Sequence, residues 1–174
     1  QPTAEVMTTI RDELVTLLPR LRRFSLTVTG NVQDAEDLLH SALERALRHE
    51  ATWQRGTRLD SWMYRIIRNL WIDERRAKRN QDVSLEVAGD AVLEDDRSDS
   101  AEHLLDLSQA RRALLSLPEE QRSVLCLVVL EGMTYQEAAT TLDVPIGTVM
   151  SRLSRARAAM VSRLANDPLR ITAI

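Results

Sequence analysis

The sequence predicts an all-α protein: two small helical domains joined by a flexible acidic linker, the C-terminal one containing a helix-turn-helix. Three observations predict it. Aromatics make up only 3% of the 174 residues and there are five glycines, while Leu, Ala, Arg and Glu abound, a composition of helix formers. Apolar residues recur at three- and four-residue spacing in segment after segment. Residues 81–102 interrupt that pattern: Asp82, Glu86, Asp90, Glu94, Asp95, Asp96, Asp99 and Glu102 face a single cation, Arg97, with a glycine between. Such a segment cannot bury enough apolar surface to fold. The domains are therefore expected at 1–80 and 103–174, tethered by 81–102.

In the N-terminal part, Val6, Ile10, Leu14 and Leu17 or Leu18 mark a first helix over residues 4–18. Pro19 is expected to start another short helical piece, closed near Gly30. Asn31 caps a helix over 32–49 that carries Leu38, Leu39, Ala42, Leu43, Ala46 and Leu47. Residues 50–57 form a loop with Trp53 and Gly56. A long helix over 59–79 follows, with Leu59, Trp62, Ile66 and Leu70 as its buried stripe.

Past the linker, residues 103–115 form a helix with Leu104, Leu107, Ala110 and Leu114 inward. Ser116 caps the next, with Pro118 in its first turn and Glu119 at capping-box spacing. That helix carries the apolar run 124–130 and stops at Gly132. Cys126, inside the run, is the only cysteine; it excludes an internal disulfide and reads as a core thiol. The run falls well short of the roughly 20 residues a membrane span needs. No signal peptide is visible and direct membrane insertion is not expected; a reducing cytoplasm fits best. The first residue is Gln, not Met, so the true N-terminus is not fixed by the sequence.

The helix-turn-helix occupies the rest. Thr134 and Glu137 form a capping box, and 136–141 is compact and alanine-rich. Asp143 tolerates the left-handed turn, and Pro145 suits the first turn of the second helix. Val149, Leu153, Ala156 and Met160 fall on one face of that helix. Thr148, Ser151, Arg152 and Arg155 fall on another, with Ser154 beside them. The first set can bury against a partner helix; the second can bond base edges and phosphates in a major groove. An ordinary helical hairpin is the competing reading, and arginines aligned with Thr and Ser count against it.

A second cationic surface lies on the long helix. Arg65, Arg68, Arg75, Arg76 and Arg79 point largely away from the predicted stripe, with Trp62, Tyr64 and Trp71 interleaved. Cations follow phosphates and aromatic planes stack on unpaired bases, which suits melted DNA. Trp62 is better read as core. A net charge of -3 is unusual for a DNA binder acting alone, so part of the affinity must come from another protein. His40, His49 and His103 have no metal-ligand spacing with Cys126, and there is no phosphate loop or nucleophile elbow. No catalytic residue, metal or cofactor is expected.

Taken together, these blocks resemble the extracytoplasmic-function (ECF) sigma factors, the two-domain sigma subunits of bacterial RNA polymerase. The N-terminal resemblance rests on Asp34-Ala35-Glu36-Asp37-Leu38-Leu39, on Ala42-Leu43-Glu44-Arg45-Ala46-Leu47, and on Ser61-Trp62-Met63-Tyr64-Arg65-Ile66-Ile67-Arg68-Asn69 with Asp73. The C-terminal resemblance rests on Leu117-Pro118-Glu119-Glu120-Gln121-Arg122, on Leu130-Glu131-Gly132-Met133-Thr134-Tyr135-Gln136-Glu137-Ala138-Ala139, and on the segment from Ile146 to Arg157.

The resemblance implies roles by position. Asp34, Asp37, Leu38, Ser41 and Glu44 would dock on the clamp of core RNA polymerase. Trp62, Tyr64, Arg65, Arg68, Asn69, Asp73, Arg75, Arg76 and Arg79 would hold the melted minus-ten element of promoter DNA. Thr148, Ser151, Arg152, Ser154 and Arg155 would read the minus-thirty-five element. An anti-sigma factor, commonly membrane-anchored, is a further implied partner. His40 and Ser41 stand where the family usually has Gln and an acidic residue, and Asp143 where it favours glycine. The alternatives are a sigma-mimicking decoy that sequesters an anti-sigma factor, and an operator-binding helix-turn-helix regulator.

Overall fold

The computed structural model describes residues 9–80 and 101–165. Seven α-helices run in the order α1 (Ile10–Thr29), α2 (Val32–Arg48), α3 (Leu59–Asn80), α4 (Ala101–Leu115), α5 (Glu119–Leu125), α6 (Tyr135–Leu142) and α7 (Ile146–Ala165). Among the described residues none is long and apolar enough to cross a membrane. The predicted tether lies outside the described residues except at its end, where Ala101 and Glu102 already belong to α4.

Thr9 and Asp12 cap α1 reciprocally, and Gly30, at φ 74°, closes it with its N–H on the Leu26 carbonyl. The expected break at Pro19 does not occur: α1 passes through it. An interior proline costs about 3 kcal/mol. Leu14, Leu21 and Phe24 flank Pro19 and are buried, each returning about 1.5–3 kcal/mol. The carbonyl that Pro19 leaves unpaired belongs to Val15, a residue 66% exposed, so water can take it. Asn31 caps α2 as expected, its side chain accepting from Asp34 N–H.

The buried face of α3 is shifted from the prediction. Leu59 is buried, but it is followed by Met63, Tyr64, Ile67 and Trp71, while Trp62, Ile66 and Leu70 sit at the edge of the core. The cause is tertiary: α3 is covered by α1 and α2 and, on another side, by α6. A helix with cover on two sides buries a wider arc than one stripe.

The two sets of helices are not separate bodies. α1 packs on α5 and α3 on α6, and one continuous core contains Phe24, Met63 and Tyr64 together with Val124, Cys126 and Leu127. The Phe24 and Tyr64 rings meet at 4.7 Å, tilted by 53°. Cys126 is buried, and burial pushes its thiol up to about 12, which makes it inert at neutral pH.

Ser116 does not cap α5. Its hydroxyl donates to the Ala113 carbonyl at 2.7 Å, and Pro118 stands at the N-cap of α5 with no side-chain cap. Beyond Leu125 the helix widens into one π-turn, Cys126–Leu130, whose Glu131 N–H reaches back to the Cys126 carbonyl. Gly132 then reverses the chain at φ 67°. This widening is what aims Glu131 at α1.

The helix-turn-helix forms as expected. Thr134 and Glu137 make both arms of the capping box, and Asp143 ends α6 in the left-handed region at φ 53°. Pro145 falls just ahead of α7, its carbonyl accepting from Thr148 and Val149 N–H. Thr134→Ala should cost about 1 kcal/mol, hence a melting temperature lower by about 2–4 °C. An unchanged thermal transition would show that α6 is held by packing alone.

Candidate nucleic-acid interface and the contact between lobes

On α7 the apolar face is seated: Val149, Leu153 and Ala156 are buried under α5 and α6. The opposite face carries the residues expected to read duplex DNA. Ser151, Ser154 and Arg155 are exposed; Thr148 and Arg152 are half-buried. The Ser151 hydroxyl rests on the Thr148 carbonyl at 3.1 Å and is free to turn outward.

The second set, on α3, divides. Asn69, Asp73, Arg76 and Arg79 are exposed and lie on one side of the helix. Arg65 is also exposed, but its guanidinium donates to the Thr140 carbonyl at 2.8 Å, the C-terminal end of α6. Arg75 is ion-paired with Glu119 of α5. Trp62 packs at the core edge. Tyr64 corrects the expectation outright: it is 0% exposed and no base can stack on it in this arrangement. Its aromatic character reflected burial, and its hydroxyl is spent on Glu131 at 2.7 Å.

On α2, Asp37 and Glu44 are exposed, and Asp34 and Ser41 are half-buried. Glu44 pairs with Arg48 at 3.2 Å, an exposed bond of little energetic weight. Leu38 is core, 0% exposed, and is not available for docking; its periodic neighbours Ala35, Leu39 and Ala42 are buried beside it.

The two cationic faces converge. Arg68, Arg75, Arg76 and Arg79 of α3 and Arg152 of α7 line one cleft of about 210 Å³, with Glu119, Glu120 and Ser123 of α5. Burial lowers the Arg68 pKa, and Arg152 adds to the effect against the opposing pull of Glu119. The sequence placed these arginines on distant segments, and only the packing of α3 on α6 brings them together.

What closes the lobes is a polar network. Glu131, with a side chain 1% exposed, accepts from Arg20 Nε at 2.6 Å and Arg23 Nη2 at 2.6 Å, besides Tyr64. Arg20 continues to buried Asp60 at 2.9 Å. Arg58 joins Asp60 at 2.8 Å to Glu137, the capping residue of α6, at 2.5 Å. Burial pushes the Glu131 carboxyl up, but its three donors outweigh it and hold it below the ordinary carboxylate range. At Asp60 burial likewise pushes the carboxyl up, but Arg58, the Ser61 N–H and Arg20 outweigh it and lower its pKa. Burial and Glu131 both push the Tyr64 phenol up, so it stays a donor. Arg122 completes the contact. It donates to the Thr27 and Val28 carbonyls of α1 and to the Leu115 and Leu117 carbonyls, serving two helix ends with one cation.

Glu131, Arg122 and Asp60 were not singled out as functional positions from the sequence. Each lies within or beside a quoted block, yet nothing in linear spacing links Glu131 to Arg20 and Arg23.

Residues 14–81 match the family model described as Sigma-70 region 2, and residues 107–160 match Sigma-70, region 4. The chain thus has the region 2 and region 4 architecture of a sigma factor. It is 32% identical over 158 residues to the ECF RNA polymerase sigma factor EcfG of Rhodopseudomonas palustris (strain TIE-1), covering 91% of this chain and 86% of that protein. It is 30% identical over 175 residues to the ECF RNA polymerase sigma factor SigW of Bacillus subtilis (strain 168), covering 92% and 88%. It is also similar to the sigma factor RpoE solved in complex with the anti-sigma factor NepR from Bartonella quintana. That match has a TM-score of 0.75 and 30% identity, over 90% of this chain and 97% of that one. The chain belongs to the ECF family of RNA polymerase sigma factors.

Proposed function

We propose that this sigma factor reads promoter DNA with two residue sets that the closed arrangement holds against each other. Asn69, Asp73, Arg76 and Arg79, with Arg65 and Arg68 once released, hold the melted minus-ten strand. Thr148, Ser151, Arg152, Ser154 and Arg155 read the minus-thirty-five duplex. The observation that carries this reading is the convergence of Arg68, Arg76 and Arg79 with Arg152 on one cleft. Two DNA elements a promoter's length apart cannot both be held by surfaces that face a single cleft, so the lobes must part on core polymerase. Asp34, Asp37, Ser41 and Glu44 on α2 are the proposed polymerase-docking side chains. An anti-sigma factor that favours the closed arrangement would restrain initiation, a reading supported by similarity to a sigma factor solved with one. A decoy would need no DNA-reading side chains, and both sets are present.

The test is run-off transcription with core polymerase, with and without this chain. Promoter-dependent initiation only on its addition is expected; tight anti-sigma binding with no binding to core polymerase would favour the decoy. Arg152→Ala should weaken recognition of the minus-thirty-five element by about 1–3 kcal/mol, the worth of a bidentate base contact. Unchanged discrimination among minus-thirty-five variants would remove Arg152 from the readers.

A further inference from the structure

Three polar groups of the interlobe cleft make no hydrogen bond with a described residue. Arg68 of α3 is half-buried and makes no hydrogen bond or ion pair with a described residue. Arg152 of α7, also half-buried, likewise makes none. The Ser123 hydroxyl of α5, on a residue 3% exposed, is buried with no hydrogen-bond partner. Three helices therefore supply unmatched donors to one cavity. A buried donor left unmatched is costly, and more so when charged. Two guanidinium groups brought together add to that cost, burial and Arg152 together lowering the Arg68 pKa. Glu119 and Glu120 line the same cleft and pull favourably on Arg68, but Glu119 is bonded to Arg75 and neither carboxylate is bonded to Arg68 or Arg152. Arg76 and Arg79 extend the positive charge to the mouth of the cleft. The cleft, of about 210 Å³, has room for a compact polyanion.

We propose that the cleft between α3, α5 and α7, with Arg68 and Arg152 contributed by different lobes and the Ser123 hydroxyl in its wall, binds a compact diphosphate group, free or nucleoside-borne, that holds the lobes closed. Arginine forks match phosphoryl oxygens bidentately, and a hydroxyl completes the set. A ligand that binds only the closed form stabilises it by mass action. The same arginines are then withheld from promoter DNA, so the ligand acts as a brake on initiation.

The test is isothermal titration calorimetry on the full chain with inorganic diphosphate, a nucleoside 5′-diphosphate and orthophosphate. Inorganic diphosphate should bind one-to-one and at least tenfold tighter than orthophosphate. A nucleoside diphosphate that binds tighter still identifies the nucleoside-borne source; a weaker one identifies the free ion. Arg68→Gln should weaken binding tenfold or more. Ser123→Ala should weaken it a few-fold with the thermal transition preserved, which separates loss of a ligand contact from loss of fold. No heat at millimolar concentration, or equal affinity in both variants, would overturn the proposal. So would binding of a short single-stranded oligonucleotide that responds to these substitutions while diphosphate does not bind, since the cleft would then serve DNA alone. No polymerase enters these titrations, so their failure leaves the promoter-reading proposal standing.

Discussion

Replacing Glu131 with alanine is expected to lower the stability of the closed chain by about 3–5 kcal/mol, a fall in melting temperature of about 6–20 °C. One carboxylate takes bonds from Arg20, Arg23 and the Tyr64 hydroxyl, and its side chain is 1% exposed. Its loss leaves a buried phenol without an acceptor and two part-buried guanidinium groups without their counter-charge. The sign is that of breaking a buried network from one side, not that of replacing it by apolar groups.

The pH dependence follows from the same carboxylate. Its folded pKa is held below the ordinary value of 4.5, so its stabilisation is complete above that value and is lost as pH falls through the folded one. Asp60, also lowered from 3.8, acts in the same direction. Denaturant melts from about pH 7 to about pH 3 should show a steeper acid loss in the parent chain than in Glu131→Ala. Parallel profiles would mean that Glu131 contributes no linkage and that apolar packing alone closes the lobes.

Phe24→Ala carries the other large effect, about 3–5 kcal/mol for a truncated core aromatic. Phe24 is 0% exposed and stands against Tyr64 at 4.7 Å, in the core shared by α1, α3 and α5. Because that core is continuous across the lobes, its loss should shift one cooperative transition, read identically by probes placed on α2 and on α7. Two transitions, with α7 melting at its original temperature, would show that the lobes fold independently and that their contact is weak.

The helix content and the turn chemistry were legible in the sequence because they are local. Asn31, the Thr134–Glu137 capping box, Gly30 and Asp143 act within a few residues of themselves, and each sits as expected. The seated face of α7 was legible because one side of a short helix packs and the other does not. What failed was set by neighbours distant in sequence. Pro19 was read as a break because the burial of Leu14, Leu21 and Phe24 around it is a tertiary gain. Tyr64 was read as a base-stacking platform because interleaving with arginines does not reveal that Phe24 of α1 and Glu131 close over it. The same ignorance hid the closed arrangement: Arg65, Arg68 and Arg75 were read as part of a cationic surface open to melted DNA, and each is turned toward the other lobe. In the family motifs, the residues proposed to hold DNA and the residues that close the lobes are partly the same.

The most direct test of the central claim is the distance between two probes, one on exposed Arg76 of α3 and one on exposed Ser154 of α7, each replaced by cysteine and labelled. The native Cys126 is buried, with its thiol pushed up to about 12, and will not compete for label. The free chain should give a short separation, and addition of core polymerase a long one, in the same samples that initiate transcription. A separation that stays short in a transcribing complex would contradict the account, because promoter DNA would then be read without parting the lobes.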